Sequence, residues 1–467
     1  MSAAPPPGQQ PAGSGLIPRL RGFLGAGRLR RSEVLRSSAV AAVIRVLGMG
    51  VVFLLQILLA RLAVDATTYG AYAWGQNLLF LLGNLFALGV PVIASRQVSV
   101  FLARGERERQ REVSREAHRW VGGTSLLLSA LGLLLVWQLP ERLFHSLSRE
   151  VVCLALLTAP LVSLTMLRQA LARAGSRLLS AFLPTQVLRP LLTGLLALAA
   201  FLWLQRSLEA VDILVALWLS LAVVLLVQLL TPPGHPQAPI EGAATAERRE
   251  LPRGLLRQSL PVFATRLADL AMTYGNTLIL GVLGGPLAAG SFFVAERLAQ
   301  ISSVPGSVTS AVIQPWLASA YADDQRDRLQ QVITQATHVG IWPGIAVGLL
   351  LIWAGHFLLG LFGADFGQAY PVLVMLVVAH VSGSVLGPCQ QLLSMSGRQQ
   401  LVMRVVMGGA VVHLLALLLL IPTLGALGAA VASWCSTTLI AVACWVLVRR
   451  RLQLHSGLLS PRSWHHP

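Results

Sequence analysis

The sequence predicts an all-α polytopic membrane protein, with about twelve transmembrane helices in two six-helix lobes related by pseudo-two-fold symmetry. Three observations carry that prediction: an apolar excess, its division into helix-length runs, and an internal duplication. Of the 467 residues, 55% are hydrophobic and only 12% charged, where soluble domains carry roughly 25% charged residues. Mean hydropathy is +0.69. A water-soluble enzyme, a disordered chain and a secreted disulfide scaffold are excluded.

A transmembrane helix needs about 20 mostly apolar residues. Such runs fall at 38–62, 71–95, 120–139, 151–168, 180–204, 210–231, 259–283, 288–316, 333–357, 369–390, 401–421 and 424–448. Each is continuously apolar, whereas barrel strands would alternate over about ten residues. The runs divide the chain into an N-terminal tail at 1–36, a first lobe at 37–231, a linker at 232–258, a second lobe at 259–448 and a basic tail at 449–467. Pro232, Pro233, Pro236 and Pro239 mark the linker, followed by the charged run Glu247 to Glu250. Residues 1–15 are rich in Pro, Gly and Ala and read as disordered. From Leu16 to Leu35, apolar and Arg residues alternate. That stretch is either a basic interfacial helix on an anionic leaflet or a basic flank that fixes topology. The first long apolar run lacks a small-residue cleavage site, so no cleavable signal peptide is expected.

Charge placement sets the orientation. The net charge is +17, and all 36 basic residues are Arg. Without Lys there is no Walker A lysine and no Schiff-base site, which excludes those routes to ATP hydrolysis and imine chemistry. With the N-terminus cytoplasmic, the outside segments hold only Arg61, Arg142, Arg149 and Arg206, and Arg45, Arg189, Arg266 and Arg297 fall within spans. All the others face the cytoplasm. Both termini are therefore expected on the cytoplasmic side of a multi-pass protein. The same bias accounts for a pI near 11.4 without a nucleic-acid partner. The four cysteines show no CxxC spacing and read as small apolar residues.

The two groups of six spans resemble each other. Leu58, Tyr69–Gly70 and Leu78 correspond to Leu278, Ala289–Gly290 and Leu298, and Val92–Ile93 to Val312–Ile313. Gln169, Leu171 and Gly175 match Gln391, Leu393 and Gly397, and Trp218 and Ser220 match Trp434 and Ser436. A repeat of six keeps both copies in one orientation. The halves should therefore relate by an axis along the membrane normal and enclose a cavity, as in alternating-access transporters.

With this organisation, FLLQILLARLAVDATTYGAYAWGQNLLFLLGNLFALGVPVIASRQ at 53–97 and LGALGAAVASWCSTTL at 424–439 resemble the polysaccharide and O-antigen flippases of the multidrug/oligosaccharidyl-lipid/polysaccharide exporter superfamily. The resemblance covers about 38–448 and rests on patterns of Gly, aromatic and amide residues. It implies two six-helix lobes in a V. It also implies transport of undecaprenyl-diphosphate-linked oligosaccharide across the bacterial inner membrane, coupled to a cation gradient, for O-antigen, capsule or exopolysaccharide. The implied partners are that lipid-linked glycan, membrane lipids and polysaccharide-assembly proteins, with no cofactor. Members that flip peptidoglycan precursors usually carry two further helices, which this chain lacks. The multidrug branch has the same span count and stays open as an alternative. A sugar polymerase or ligase would need a substantial periplasmic loop, and the longest outside loop here is about 140–150.

Polar residues within the spans are the candidate site, because charge in hydrocarbon costs roughly 2.5–3.5 kcal/mol on insertion scales. Arg45, Arg189 and Arg266 lie about eight residues, or about 12 Å, from the cytoplasmic end of their spans. They either form a guanidinium ring for a diphosphate or snorkel to the interface. Arg297 joins them as a substrate candidate, as do Asn77 and Asn84, seven residues apart on one face; interhelical bonding is the other role for the two amides. Asp269, three residues after Arg266, is either a neutralised ion-pair partner or a proton or sodium switch. Glu296 is the second ion-coupling candidate, or else pairs with a neighbouring helix. Glu296–Arg297 occupies the place of Gln76–Asn77 in the first repeat. Adjacent helical residues point about 100° apart, so both are not expected to line the cavity equally. His338, His356, His380 and His413 lie on separate spans without ligand spacing, and no metal site is expected. The Arg/Glu-rich run 104–119 reads as a solvated loop helix.

Overall fold

A computed structural model describes residues 47–140, 148–175, 178–231, 255–309, 326–396 and 398–452. Arg45, the N-terminal tail, most of the linker and Val312–Ile313 lie outside the described residues. Among those described, structure is helical throughout, apart from one isolated bridge between Ala63 and Leu208. In lipid this is the expected solution, because a helix satisfies its own backbone groups.

The first half runs through α1 (Leu47–Leu62), α2 (Ala66–Phe86), α3 (Val90–Ala103), α4 (Arg107–Gln138), α5 (Arg149–Ala174), α6 (Leu178–Leu183), α7 (Arg189–Leu204) and α8 (Ala210–Leu230). The second half runs through α9 (Leu255–Leu283), α10 (Pro286–Ala299), α11 (Arg326–Trp353), α12 (Gly355–Gly360), α13 (Tyr370–Val385), α14 (Cys389–Met395) and α15 (Gln399–Leu452). Among the described residues, six helices are individually long and apolar enough to cross a membrane, or seven if the pair α2–α3, bent by 54°, is counted as one span. The other expected spans fall on α1, α9, α10 and α11, and on the second part of α15.

The interruptions have chemical causes. Between α2 and α3 the chain turns through Leu88 and Gly89, both at positive φ, and restarts with Pro91 in the first turn. Glycine is the natural residue for that conformation, and proline needs no amide partner at a helix start. A π-turn at Pro184–Leu188 separates α6 from α7. It adds a residue to the turn and so rotates everything after it by about 100°. Helix α15 holds two spans, split at Gly425, whose φ of 58° and ψ of −133° are not helical. The charged run is helical, as the first part of α4, and continues without a break into its apolar stretch.

The halves meet along α2, which packs on α5 and α8 of its own half and on α9 and α10 of the other. One end of this contact is closed. Tyr69, Tyr72 and Phe362 are fully buried there. Tyr69 stacks edge-on to Phe366 at 5.6 Å and tilts against Phe293 at 6.5 Å, while Phe53 meets Phe362 at 5.7 Å. Tyr69 also donates to Gln56 Oε1 at 3.0 Å. Arg61 ties the rim across the halves, donating to the carbonyls of Leu361 at 2.7 Å and Gly360 at 2.9 Å. Below the rings, Gly70 and Gly290 let α2 and α10 cross closely. A Cβ on Gly70 would stand 1.9 Å from the Pro286 carbonyl oxygen, and one on Gly290 would stand 2.7 Å from the Gly70 Cα.

A central cavity with one arginine from each half

About 12 Å from Tyr69 along α2, the packing opens into a cavity of about 460 Å³. Asn77 and Phe80 of α2, Arg189 of α7, Glu296 and Arg297 of α10 and His380 of α13 are on its wall. Each half contributes one guanidinium laid on a phenylalanine. Arg189 sits 5.0 Å from the centroid of Phe80 and Arg297 sits 4.8 Å from that of Phe293. A ring beneath the guanidinium face holds it by cation–π attraction and leaves the N–H edge free for a bidentate acceptor. The π-turn and the prolines at 184 and 190 set where α7 begins, and so aim Arg189.

Glu296 anchors the acidic side. Its Oε1 accepts from Gln300 Nε2 at 3.0 Å and lies 3.3 Å from His380 Nε2. Gln300 in turn accepts from Arg297 at 3.3 Å. The chain tightens into a 3₁₀ turn at Gln300–Ser303, which brings the amide back over the carboxylate. Glu296 and Arg297 are both on the cavity wall, and Gln300 bonds to each of them. On the second half's wall, His413 Nδ1 and Ser436 Oγ are 3.0 Å apart, and Ser433 donates to Asn276 at 3.2 Å.

The candidates separate clearly. Arg189, Arg297, Asn77 and Glu296 come together. Asn77 donates to the Ala73 carbonyl of its own helix, which fixes its amide. Asn84 bonds the Phe80 carbonyl at 2.8 Å and is off the cavity wall. Arg266 also lies off this wall. It is 54% exposed and 3.6 Å from Asp269, itself 49% exposed. Of the expected ring, Arg189 lines the cavity together with Arg297, Arg266 does not, and Arg45 lies outside the described residues. Asp269 lines a second cavity in the other half. Sequence reasoning missed His380, Gln300 and the two phenylalanines. His380 lay within a span, but its partner is 84 positions away in sequence. Among the described residues, no group of three or more His, Cys, Asp or Glu could hold a metal ion.

The two halves thus meet over a shared polar cavity that is closed at one end. The chain belongs to the polysaccharide biosynthesis protein family, whose model matches residues 34–321. Solved structures share its fold at low identity. An inward-facing multidrug resistance MATE family transporter of the MOP superfamily is 17% identical, with a TM-score of 0.67 over 88% of this chain and 98% of the other. The lipid II flippase MurJ, in an inward closed conformation, is 12% identical, with a TM-score of 0.63 over 88% and 87%. A MOP superfamily transporter from Pyrococcus furiosus, described by a reversed polarity of its binding pocket, is 15% identical, with a TM-score of 0.62 over 89% and 95%. No curated protein matches the chain.

Proposed function

We propose that this protein is a flippase, not an enzyme, that carries undecaprenyl-diphosphate-linked oligosaccharide across the bacterial inner membrane by alternating access. The glycan would serve surface polysaccharide: O-antigen, capsule or exopolysaccharide. The observation that carries the reading is the pair of guanidiniums, one from each half, facing a single cavity beneath an aromatic seal. A lipid diphosphate moved from one leaflet to the other takes its anionic head through a low-dielectric space, where unpaired charge is strongly disfavoured. Two permanent cations, already half desolvated against aromatic rings, offset that penalty in bidentate geometry. Because they belong to opposite halves, separating the halves splits the site, which is how a carrier releases what it has bound. With both termini cytoplasmic, the seal at Tyr69, Phe362 and Phe366 faces the periplasm.

Coupling to a cation gradient is assigned to Glu296, whose carboxylate has an amide donor in Gln300 and a titratable partner in His380 inside the cavity. Asp269 is the second candidate. Replacing Glu296 by Gln should leave membrane insertion intact and remove gradient dependence of transport. Unchanged gradient dependence in both Glu296→Gln and Asp269→Asn would end carboxylate coupling.

Substrate assignment is tested by surface polysaccharide in a deletion strain complemented at matched membrane expression. Arg189→Ala and Arg297→Ala should abolish export and the Lys variants should restore part of it, since Lys keeps charge but loses the fork. Arg266→Ala should have a small effect. Wild-type polysaccharide in both cavity variants would place the head group elsewhere. A multidrug exporter is the second reading, supported by a cavity carboxylate beside Phe292 and Phe293, which suits organic cations. Drug hypersensitivity with normal polysaccharide in the deletion strain would favour it.

A further inference from the structure

The second cavity, wholly within the second half, has a volume of about 410 Å³, within the roughly 300–1,000 Å³ of small-molecule sites. It shares Met272 and Thr437 with the central cavity, so the two adjoin. Their chemistry differs. The central cavity carries two guanidiniums, whereas Asp269 is the one carboxylate among the described residues lining the second, and neither arginine nor histidine is on its wall.

Five hydroxyls on that wall share one arrangement. Ser303 donates to the Gln300 carbonyl at 2.7 Å, Ser307 to Val304 at 2.8 Å and Thr309 to Pro305 at 2.9 Å. Thr337 donates to Ile333 at 2.8 Å and Ser384 to His380 at 3.2 Å. Each hydroxyl has spent its proton on its own helix, so what remains for a ligand is oxygen lone pairs. With the Asp269 carboxylate, itself paired with Arg266 at 3.6 Å, the wall is rich in acceptors, and the Gln390 and Gln391 amides add donors. The ligand it fits is uncharged, compact and able both to donate and to accept.

We infer that this cavity is the sugar subsite: a neutral sugar of the lipid-linked glycan places its hydroxyl and amide donors against these oxygens while Arg189 and Arg297 hold the diphosphate next door. The inference rests on the flippase reading and adds its specificity. The central cavity reads the part common to every lipid diphosphate, and the second reads the sugar. A uronic acid there would set its carboxylate against that of Asp269 on an acceptor-rich wall.

The test is binding by the purified full-length protein in detergent to three probes. These are undecaprenyl diphosphate, the same lipid bearing a neutral N-acetylglucosamine–galactose disaccharide, and that disaccharide extended by glucuronic acid. The wild-type protein should bind the neutral glycolipid at least tenfold more tightly than the bare lipid and gain nothing from the acidic extension. Ser303→Ala combined with Ser384→Ala, and Thr337→Val separately, should cut that preference below threefold at unchanged affinity for the bare lipid, which also reports intact folding. Arg297→Ala should weaken all three probes in parallel. Equal wild-type affinity for bare and neutral lipids, or an undiminished preference in both hydroxyl variants, overturns the sugar subsite and leaves the flippase reading standing. Failure of the wild-type protein to bind any probe removes the flippase reading and the subsite with it.

Discussion

Helices α2 and α10 occupy equivalent places in the two repeats, and they agree at one end and diverge at the other. At the seal they form a matched crossing, Gly70 against Gly290, with aromatic residues packed over it. Two turns further, α2 presents Gln76 and Asn77 and α10 presents Glu296 and Arg297. Both kinds of pair fit a helix in a cavity wall, so the difference is not one the fold requires. The crossing needs symmetry because two backbones must approach each other. For the proposed substrate, with a charged part and an uncharged part, an asymmetric cavity is what the chemistry asks for.

Breaking the symmetric end should have the largest effect. Gly70→Ala places a methyl group where the Pro286 carbonyl stands, and backbone cannot move aside as a flexible side chain does. Overpacking of this kind costs about 1–3 kcal/mol. The expected result is several-fold faster labelling of a cysteine introduced at Phe366 by a membrane-impermeant thiol reagent added from the periplasmic side. Labelling at the Gly70 rate would show that this crossing does not hold the seal.

Equalising the asymmetric end is the next test. The double variant Glu296→Gln, Arg297→Asn gives α10 the amide pair of α2. It should insert and resist proteolysis like the parent, while polysaccharide export falls at least tenfold. Export near the parental level would mean that the ionisable pair serves packing alone. A smaller effect separates the Arg297 contribution: with Arg297→Lys, partial export is expected, because the cation persists without its planar fork.

The smallest difference is at the helix starts. Asp65 caps α2, its carboxylate accepting from the Thr68 amide at 2.6 Å, while α10 starts at Gly285 without a side-chain cap. Asp65→Ala should cost about 0.5–2 kcal/mol. The Thr68 bonds hold the Asp65 carboxyl below its ordinary 3.8. A depressed carboxylate stabilises the fold above its unfolded value, and that contribution is lost as pH falls through the folded value. Thermal unfolding should therefore separate parent and variant at neutral pH and converge in strong acid. A gap that persists there would assign the difference to packing instead.

Much of this architecture was legible in the chain. Hydropathy marked helix-length apolar runs, and the repeat aligned Gly290 with Gly70 and Glu296–Arg297 with Gln76–Asn77; that the two glycines meet is a contact only the packing shows. What hydropathy supplies is depth, not direction around the helix axis. Arg189 and Arg266 have similar depth, yet one faces the cavity and the other sits exposed beside Asp269. The π-turn before Arg189 rotates its face in a way that no apolar count reveals. The partnership of Glu296 with His380 is a tertiary contact between α10 and α13, visible only when those helices are packed.

Under the proposed alternating access, the seal also carries a temperature dependence. Opening the rim would part Tyr69, Phe362 and Phe366 and wet their rings. Exposing apolar surface raises heat capacity, so the balance between shut and open rims is curved in temperature rather than linear. Cooling weakens the ring contacts, but the two Arg61 bonds to backbone carbonyls are not apolar contacts and do not share that loss. In the cold, the Arg61 bonds therefore carry a larger share of what holds the rim.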